Sequence, residues 1–186
     1  MNKTVEPVYR RLYLIERLPE PLEPKSAHLQ IFDNYIHGTR LRLRLVRDPA
    51  TKAWTRILQQ HVDIKNAGCG VTRLFEIHLN DAEYAAFETF EGNEIRKNRY
   101  FHEFDGVSFA FDVYLGDLWG LNTAKVEFAS SEEMAAFEPP PFAVFDVTKD
   151  TFFLGKNLVG KKFDDVRERV QQIGSEMPPE SVRSED

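Results

Sequence analysis

The stretch Arg40-Leu41-Arg42-Leu43-Arg44-Leu45 alternates arginine with leucine and decides the predicted fold. Successive side chains of a β-strand point to opposite faces, so the three guanidinium groups share one face and the three leucines share the other. Neighbouring groups on one face lie roughly 7 Å apart. Three like charges in a row repel one another, so they face either water or a bound anion. The planar, rigid guanidinium groups suit carboxylate or phosphate oxygens.

Two interpretations of this strand are open, because a row of surface charges is often only a solvated face. The composition favours a local anion site over nucleic acid as the partner. The net charge is −6, whereas a nucleic-acid-binding domain usually has a basic bias. The length of 186 residues and the hydrophobic content of 42% are typical of one domain with a real core.

Most of the chain is predicted to form β-strands joined by short turns. The predicted strands cover residues 8–15, 28–36, 39–47, 54–62, 71–79, 95–101, 107–115, 123–128 and 143–148. Capping boxes at Asn80 with Glu83 and at Ser130 with Glu133 predict two helices, and a third covers 161–174. Because hairpin turns join the strands, we expect an α+β protein built on an antiparallel barrel, which leaves no sheet edge exposed.

Two other strands repeat the alternation of charge and apolar bulk. Lys97 and Arg99 share one face of their strand, and Lys125 and Glu127 share one face of another. If helices pack outside the barrel, the apolar faces point outward and the charged faces line the interior. Small barrels normally fill with apolar side chains, so a charged interior must hold water and anions. An open sheet with its charged face in solvent is the alternative.

At this point the sequence resembles the CYTH domain, or triphosphate tunnel metalloenzyme, family over residues 8–158. Ile95-Arg96-Lys97-Asn98-Arg99-Tyr100 resembles its I-x-K-x-R-Y segment, and Arg42-Leu43-Arg44 resembles the basic pair of its third strand. Residues 121–128 resemble L-x-x-A-E-V-E-F. The resemblance implies a closed eight-stranded antiparallel barrel, or tunnel, with helices outside. Active members of the family cleave triphosphates or make cyclic AMP with a divalent metal held by carboxylates.

The chain departs from the family signature at the positions that hold the metal. The first-strand signature E-x-E-x-K reads Val8-Tyr9-Arg10-Arg11-Leu12, and the second E-x-E reads Lys125-Val126-Glu127. The lysine of the fourth strand falls on Gln60. We therefore expect a degenerate member, in which Arg10 adds positive charge where the family has negative charge.

The candidate site residues follow from the resemblance together with the alternation. The predicted phosphate-binding residues are Arg10, Arg40, Arg42, Arg44, Lys97 and Arg99. Asp112 and Glu127 are the candidate ligands for Mg²⁺ or Mn²⁺, although no cofactor is certain, and Glu76 and Glu16 are possible substitutes. No catalytic residue is assigned.

The expected function is binding of a triphosphate or other polyphosphate anion with lost or altered catalysis, which would make the chain a pseudoenzyme. One alternative is a divalent-metal-dependent triphosphatase, and another is a non-catalytic structural or protein-interaction barrel. We expect one domain over residues 1–175, a polar tail over 176–186, and a monomer or homodimer. The sequence shows neither a signal segment nor a membrane span, so a cytoplasmic location without a membrane or nucleic-acid partner is expected.

Overall fold

A computed structural model describes residues 6–64, 70–90 and 92–176 of the chain. Within these ranges the chain forms nine strands and four α-helices. The strands are β1 (Val8–Leu14), β2 (Leu29–Ile36), β3 (Leu41–Arg47), β4 (Trp54–Asp63), β5 (Val71–Leu79), β6 (Gly92–Phe104), β7 (Val107–Tyr114), β8 (Asn122–Phe128) and β9 (Phe145–Asp146). The helices are α1 (Asp81–Glu88), α2 (Ser131–Ala136), α3 (Gly155–Leu158) and α4 (Phe163–Glu176).

Eight of these strands close into an antiparallel barrel, which confirms the predicted fold class. The strands lie in the order β5-β4-β3-β2-β6-β7-β8-β1, and β9 lies beyond β1. The barrel closes where Val8 and Tyr9 of β1 pair with Thr72 and Val71 of β5. The β6–β7 hairpin turns at Asp105 and Gly106, which both have positive φ as a tight turn of this kind requires.

The aromatic core of the protein lies outside the barrel. Tyr13, Phe109, Phe111 and Val126 form a buried cluster on the outer faces of β1, β7 and β8. Phe142 packs edge-on against Phe109 and Phe111, with ring centroids 5.3 and 5.4 Å apart. Asp112 beside Phe111, and Lys125 and Glu127 beside Val126, point inward and line the cavity, so the expected inversion of apolar and charged faces is present on β7 and β8.

A second apolar cluster closes one end of the barrel. Val147, Phe153 and Leu158 from the segment after β9 pack with Val166 of α4. This cluster also contacts barrel residues that lie near the strand ends on one side, namely Leu12, Tyr35, Ile95 and Tyr114. The segment 147–157 thereby becomes part of the wall of the interior.

The structure corrects several local expectations. Strand β3 begins at Leu41, so Arg40 lies in an exposed bend before it. The helix predicted from the Asn80 capping box forms as α1 but has no buried face: none of its residues is buried, and Phe90 just beyond it is 53% exposed. The α2 N-terminus forms half of the predicted capping box, since Glu133 accepts from the Ala129 amide and not from that of Ser130.

Some elements have other bounds than expected, and some were not predicted at all. Strand β9 has only two residues, and α4 begins at Phe163 and runs to Glu176. The 3₁₀ turns Gly116–Leu118 and Thr151–Phe153, and the single turn of α3, were not expected. Among the described residues, no helix combines the length and apolar character needed to cross a membrane. The domain boundary at residue 175 stays a prediction.

Candidate functional site

A cavity of about 820 Å³ occupies the interior of the barrel, and all eight barrel strands contribute to its lining. In the described part of the chain, nine basic side chains line it: Arg10, Arg40, Arg42, Arg44, Lys97, Arg99, Lys125, Lys149 and Lys156. Four acidic side chains line it: Asp33, Glu76, Asp112 and Glu127. Nine cations against four anions leave an excess of five positive charges, inside a protein of net charge −6.

All six predicted phosphate-binding residues therefore border one cavity. Arg42 and Arg44 come from β3, while Lys97 and Arg99 come from β6. Arg10 lies on β1, in register with Glu127 of β8. Arg40 reaches the cavity from the bend before β3, so it belongs to the rim and not to the row of the strand.

Asp33 of β2 is the centre of the first ion cluster in the cavity wall. Arg44 donates two hydrogen bonds to its carboxylate, from Nε at 2.6 Å and from Nη2 at 2.8 Å. Arg42 Nη1 lies 3.5 Å from the same carboxylate. Burial alone would raise the pKa of Asp33, but the charges of Arg42 and Arg44 outweigh it and hold the pKa well below the usual range. Asp33 is thus an anion that fixes two cations in place.

Asp112 of β7 is the centre of the second cluster. It accepts from Lys97 Nζ at 2.7 Å and from Arg99 Nε and Nη2 at 2.6 and 2.7 Å. Burial opposes ionisation, yet Arg99 and Lys97 hold the pKa of Asp112 far below its ordinary value. Burial lowers the pKa of Lys97 to about 8, and the attraction of Asp112 only partly offsets it. Lys97 therefore loses its charge more readily than an ordinary lysine.

A row of polar side chains crosses four neighbouring strands. Tyr35, Arg42, Gln59 and Glu76 are register partners on β2, β3, β4 and β5. Arg42 donates to the Tyr35 hydroxyl at 3.0 Å and from Nε to Gln59 Oε1 at 2.8 Å. Gln59 in turn donates to Glu76. Gln59 and His61 are the residues of β4 at the cavity wall, whereas Gln60, where the resemblance placed the family's lysine, does not line the cavity.

The candidate metal ligands are held by cations of the chain itself. Asp112 is shared by Lys97 and Arg99, and Glu127 accepts from Lys125 Nζ at 2.7 Å. Burial works against ionised Glu127, but Lys125 keeps its pKa below the ordinary value. Among the residues described, no group of three or more His, Cys, Asp or Glu side chains is placed to hold a metal ion. This donor set does not fit a divalent metal, which prefers several free oxygen ligands.

Two further side chains at the cavity wall have polar atoms that find no hydrogen-bond partner among the residues the structure describes. They are His61 Nε2 on β4 and Thr72 Oγ1 on β5. Burial, reinforced by the charges of Arg42 and Arg10, lowers the pKa of His61 to about 3. His61 is thus neutral at physiological pH.

Sequence reasoning missed the residues that organise the predicted cations. Asp33, Tyr35, Gln59 and His61 were not assigned to the site. A signal for them was present, because Asp33 and Tyr35 alternate in β2, and Gln59 and His61 alternate in β4. It was weaker than the arginine row, since these residue types are equally common on solvated faces.

A closed antiparallel barrel with an excess of interior cations defines a tunnel suited to an anion. No family model matches the chain. An inorganic triphosphatase of Nitrosomonas europaea is 30% identical over 132 residues, which is 68% of this chain and 87% of that protein. An inorganic triphosphatase of Acetivibrio thermocellus is 30% identical over 111 residues, or 58% of this chain and 70% of that protein. The chain belongs to the CYTH, or triphosphate tunnel, family.

A solved structure supports the same fold. The crystal structure of an inorganic triphosphatase covers 82% of this chain and 93% of its own, with a TM-score of 0.55 and 24% sequence identity. At this identity the likeness concerns the fold alone, and it agrees with the closed eight-stranded barrel described above.

Proposed function

We propose that the chain binds a linear polyphosphate, represented by tripolyphosphate, in the barrel cavity without a divalent metal. The excess of five positive charges around a cavity of about 820 Å³ inside the barrel carries this proposal. A polyphosphate carries several negative charges along a flexible chain, and fixed guanidinium groups bind such oxygens through two parallel hydrogen bonds. Arg10, Arg40, Arg42, Arg44, Lys97 and Arg99 are the proposed contacts.

The names of the relatives support the class of ligand. Both matched proteins are called inorganic triphosphatases. Their similarity extends over most of each relative, so a triphosphate is the first anion to test.

The cations themselves supply the charge that a metal would otherwise contribute. Val8, Arg10 and Leu12 are the inward positions of β1, and none of them carries a carboxylate. Asp112 and Glu127 are already paired with cations. We therefore propose that catalysis is lost or altered, and that ligand binding is the function that remains.

The direct test is isothermal titration of tripolyphosphate into the protein in the presence of EDTA, repeated with excess Mg²⁺. Binding in EDTA is the expected result, with Mg²⁺ weakening it by competing for the ligand. A ligand at 100 times its dissociation constant should stabilise the fold by about 2.7 kcal/mol, which a melting experiment detects. If phosphate, pyrophosphate, tripolyphosphate and ATP all fail to bind, the proposal is wrong.

A metal-dependent triphosphatase is the second candidate, because the relatives carry that name and because Glu127 and Glu76 border the same cavity. It predicts phosphate release from tripolyphosphate that requires Mg²⁺ or Mn²⁺, stops with EDTA and is lost in Glu127→Gln. The exposed Glu103→Gln serves as the matched control. Tight binding without phosphate release would separate the first function from the second.

A further inference from the structure

The β4–β5 corner of the cavity, formed by His61 and Thr72, differs from the rest of the wall. The two residues are diagonal neighbours on the inward face, because His61 pairs with Leu74 and Asp63 pairs with Thr72. Thr72 is only 7% exposed, yet its hydroxyl has no hydrogen-bond partner among the described residues. His61 Nε2 is likewise buried and has no partner in residues 6–64, 70–90 and 92–176.

Such unsatisfied atoms are costly unless something occupies the space they face. A buried polar group without a partner loses the hydrogen bonds that it made to water, and native proteins rarely tolerate this. Both residues line the cavity, and rotation of each side chain brings its buried polar atom to a molecule bound there. The neighbouring cations favour an anion at this place.

We propose that His61 and Thr72 form a binding subsite for one phosphate group of the polyanion, and that His61 takes up a proton from solvent when the phosphate binds. The inference rests on the proposed function and deepens it. Thr72 donates its hydroxyl hydrogen to a phosphate oxygen. His61 donates from Nε2, which must carry a hydrogen because a phosphate oxygen can only accept.

The charges around His61 explain why protonation accompanies binding. Arg42 and Arg44 of β3 and Arg10 of β1 face the imidazole, and Asp33 of β2 is the counter-charge. On β5, Glu76 borders the same cavity. In the free protein the guanidinium charges and burial disfavour a charged imidazole. A bound phosphate screens the guanidinium groups and attracts a proton, so the pKa of His61 rises on binding.

The consequence is that the affinity for tripolyphosphate depends on pH through His61. Between the pKa of the bound form and that of the free form, each unit decrease in pH strengthens binding tenfold through this residue. Tripolyphosphate also titrates in this range. The informative quantity is therefore the ratio of affinities between the wild type and a variant that cannot ionise at this position.

The experiment is titration of tripolyphosphate in EDTA from pH 5.5 to pH 8.5, with wild type, His61→Gln, Thr72→Val and Thr72→Ser. Glutamine keeps a hydrogen-bond donor but has no proton to gain. We expect His61→Gln to match the wild type at pH 8.5 and to bind about tenfold or more weakly at pH 5.5. Thr72→Val should bind about tenfold more weakly at every pH, while Thr72→Ser, which keeps the hydroxyl, stays close to the wild type.

Two measurements complete the test. Titration in buffers of different ionisation enthalpy should show more protons taken up per ligand by the wild type than by His61→Gln, and the His61 ring resonances should report a cationic imidazole only in the complex. The exposed replacements His37→Gln and Thr55→Val are matched controls. Equal affinities of the wild type, His61→Gln and Thr72→Val at every pH would overturn the subsite while leaving the proposed function intact. A wild type that binds no polyphosphate would overturn both.

Discussion

Two parts of the same cavity satisfy their polar groups in different ways. Around Asp33 and Asp112, two buried carboxylates hold four cations, three of them through short hydrogen bonds and Arg42 at 3.5 Å. At the corner of His61 and Thr72, by contrast, a ring nitrogen and a hydroxyl have no partner within the described ranges. The first arrangement is satisfied before a ligand arrives, whereas the second is completed by one.

The difference shows how a barrel can enclose many like charges and remain folded. Each aspartate holds two cations in a fixed orientation, so each cluster retains one net positive charge. Pre-organised cations of this kind need little rearrangement to receive an anion. The corner of His61 and Thr72 then contributes directional hydrogen bonds to the ligand. Through the imidazole it also makes the affinity for the ligand depend on pH.

We expect the largest loss of stability when the carboxylate at the centre of an ion cluster is removed. Asp112→Asn leaves Lys97 and Arg99 buried without their anion, and loss of one partner of a buried ion pair destabilises a protein by about 3–5 kcal/mol. Urea unfolding monitored by tryptophan fluorescence measures the change. The exposed Asp117→Asn is the control and should alter stability by less than about 0.5 kcal/mol. A loss below about 1 kcal/mol for Asp112→Asn would show that the cluster is not a structural unit.

A substitution in the row of Tyr35, Arg42 and Gln59 tests whether the paired part also contacts the ligand. Arg42→Met removes one charged donor, and a hydrogen bond to a charged group is worth about 1.5–3 kcal/mol. Affinity for tripolyphosphate should fall about tenfold to a hundredfold in isothermal titration. Arg47→Met is the matched control, since Arg47 is on the same strand but packs against Trp54 outside the cavity. Equal affinities of the two variants would show that Arg42 does not contact the ligand.

The alternation of residues predicted the strands and which side chains share a face, but it left open whether the charged faces line a barrel or face solvent. The order of the strands and hairpins, together with the family resemblance, favoured the barrel. The alternation could not assign partners to the cations. Asp33 lies on a strand whose pattern is ordinary, and its role depends on register with Arg44 across β2 and β3. The closing segment after β9 was missed for a similar reason, since its short turns are stabilised by contacts with distant residues such as Tyr35. Register and long-range packing do not follow from local periodicity.

Two glycine substitutions test the packing that holds Tyr35, the hydrogen-bond partner of Arg42, in place. A Cβ on Gly155 would collide with the Tyr35 hydroxyl, which accepts from Arg42, whereas a Cβ on Gly174 of α4 would meet no atom within 4 Å. Overpacking of this kind costs about 1–3 kcal/mol, so Gly155→Ala should lower the melting temperature and weaken tripolyphosphate binding. Gly174→Ala should instead stabilise the helix by about 0.5–1 kcal/mol. Equal melting temperatures of the two variants would contradict the close approach of Gly155 to the Tyr35 ring.

The smallest expected effect is on the pH dependence of the stability of the ligand-free protein, and it arises from His61. His61 has a pKa of about 3 in the folded protein and about 6.5 when unfolded. Between these values the unfolded chain binds a proton that the folded protein does not, so stability falls as the pH decreases through this window. From pH 7 to pH 5 the wild type should lose about 1–2 kcal/mol more than His61→Gln in urea unfolding.

The aspartates do not interfere in that range, because their depressed pKa values keep them ionised well below pH 5. Saturating tripolyphosphate should reduce the difference between wild type and His61→Gln, since the bound phosphate makes protonation of the folded protein favourable. Parallel stability curves for the two proteins, with and without the anion, would mean that the corner is polar but does not titrate. The contrast between the two parts of the cavity would then concern hydrogen bonding alone.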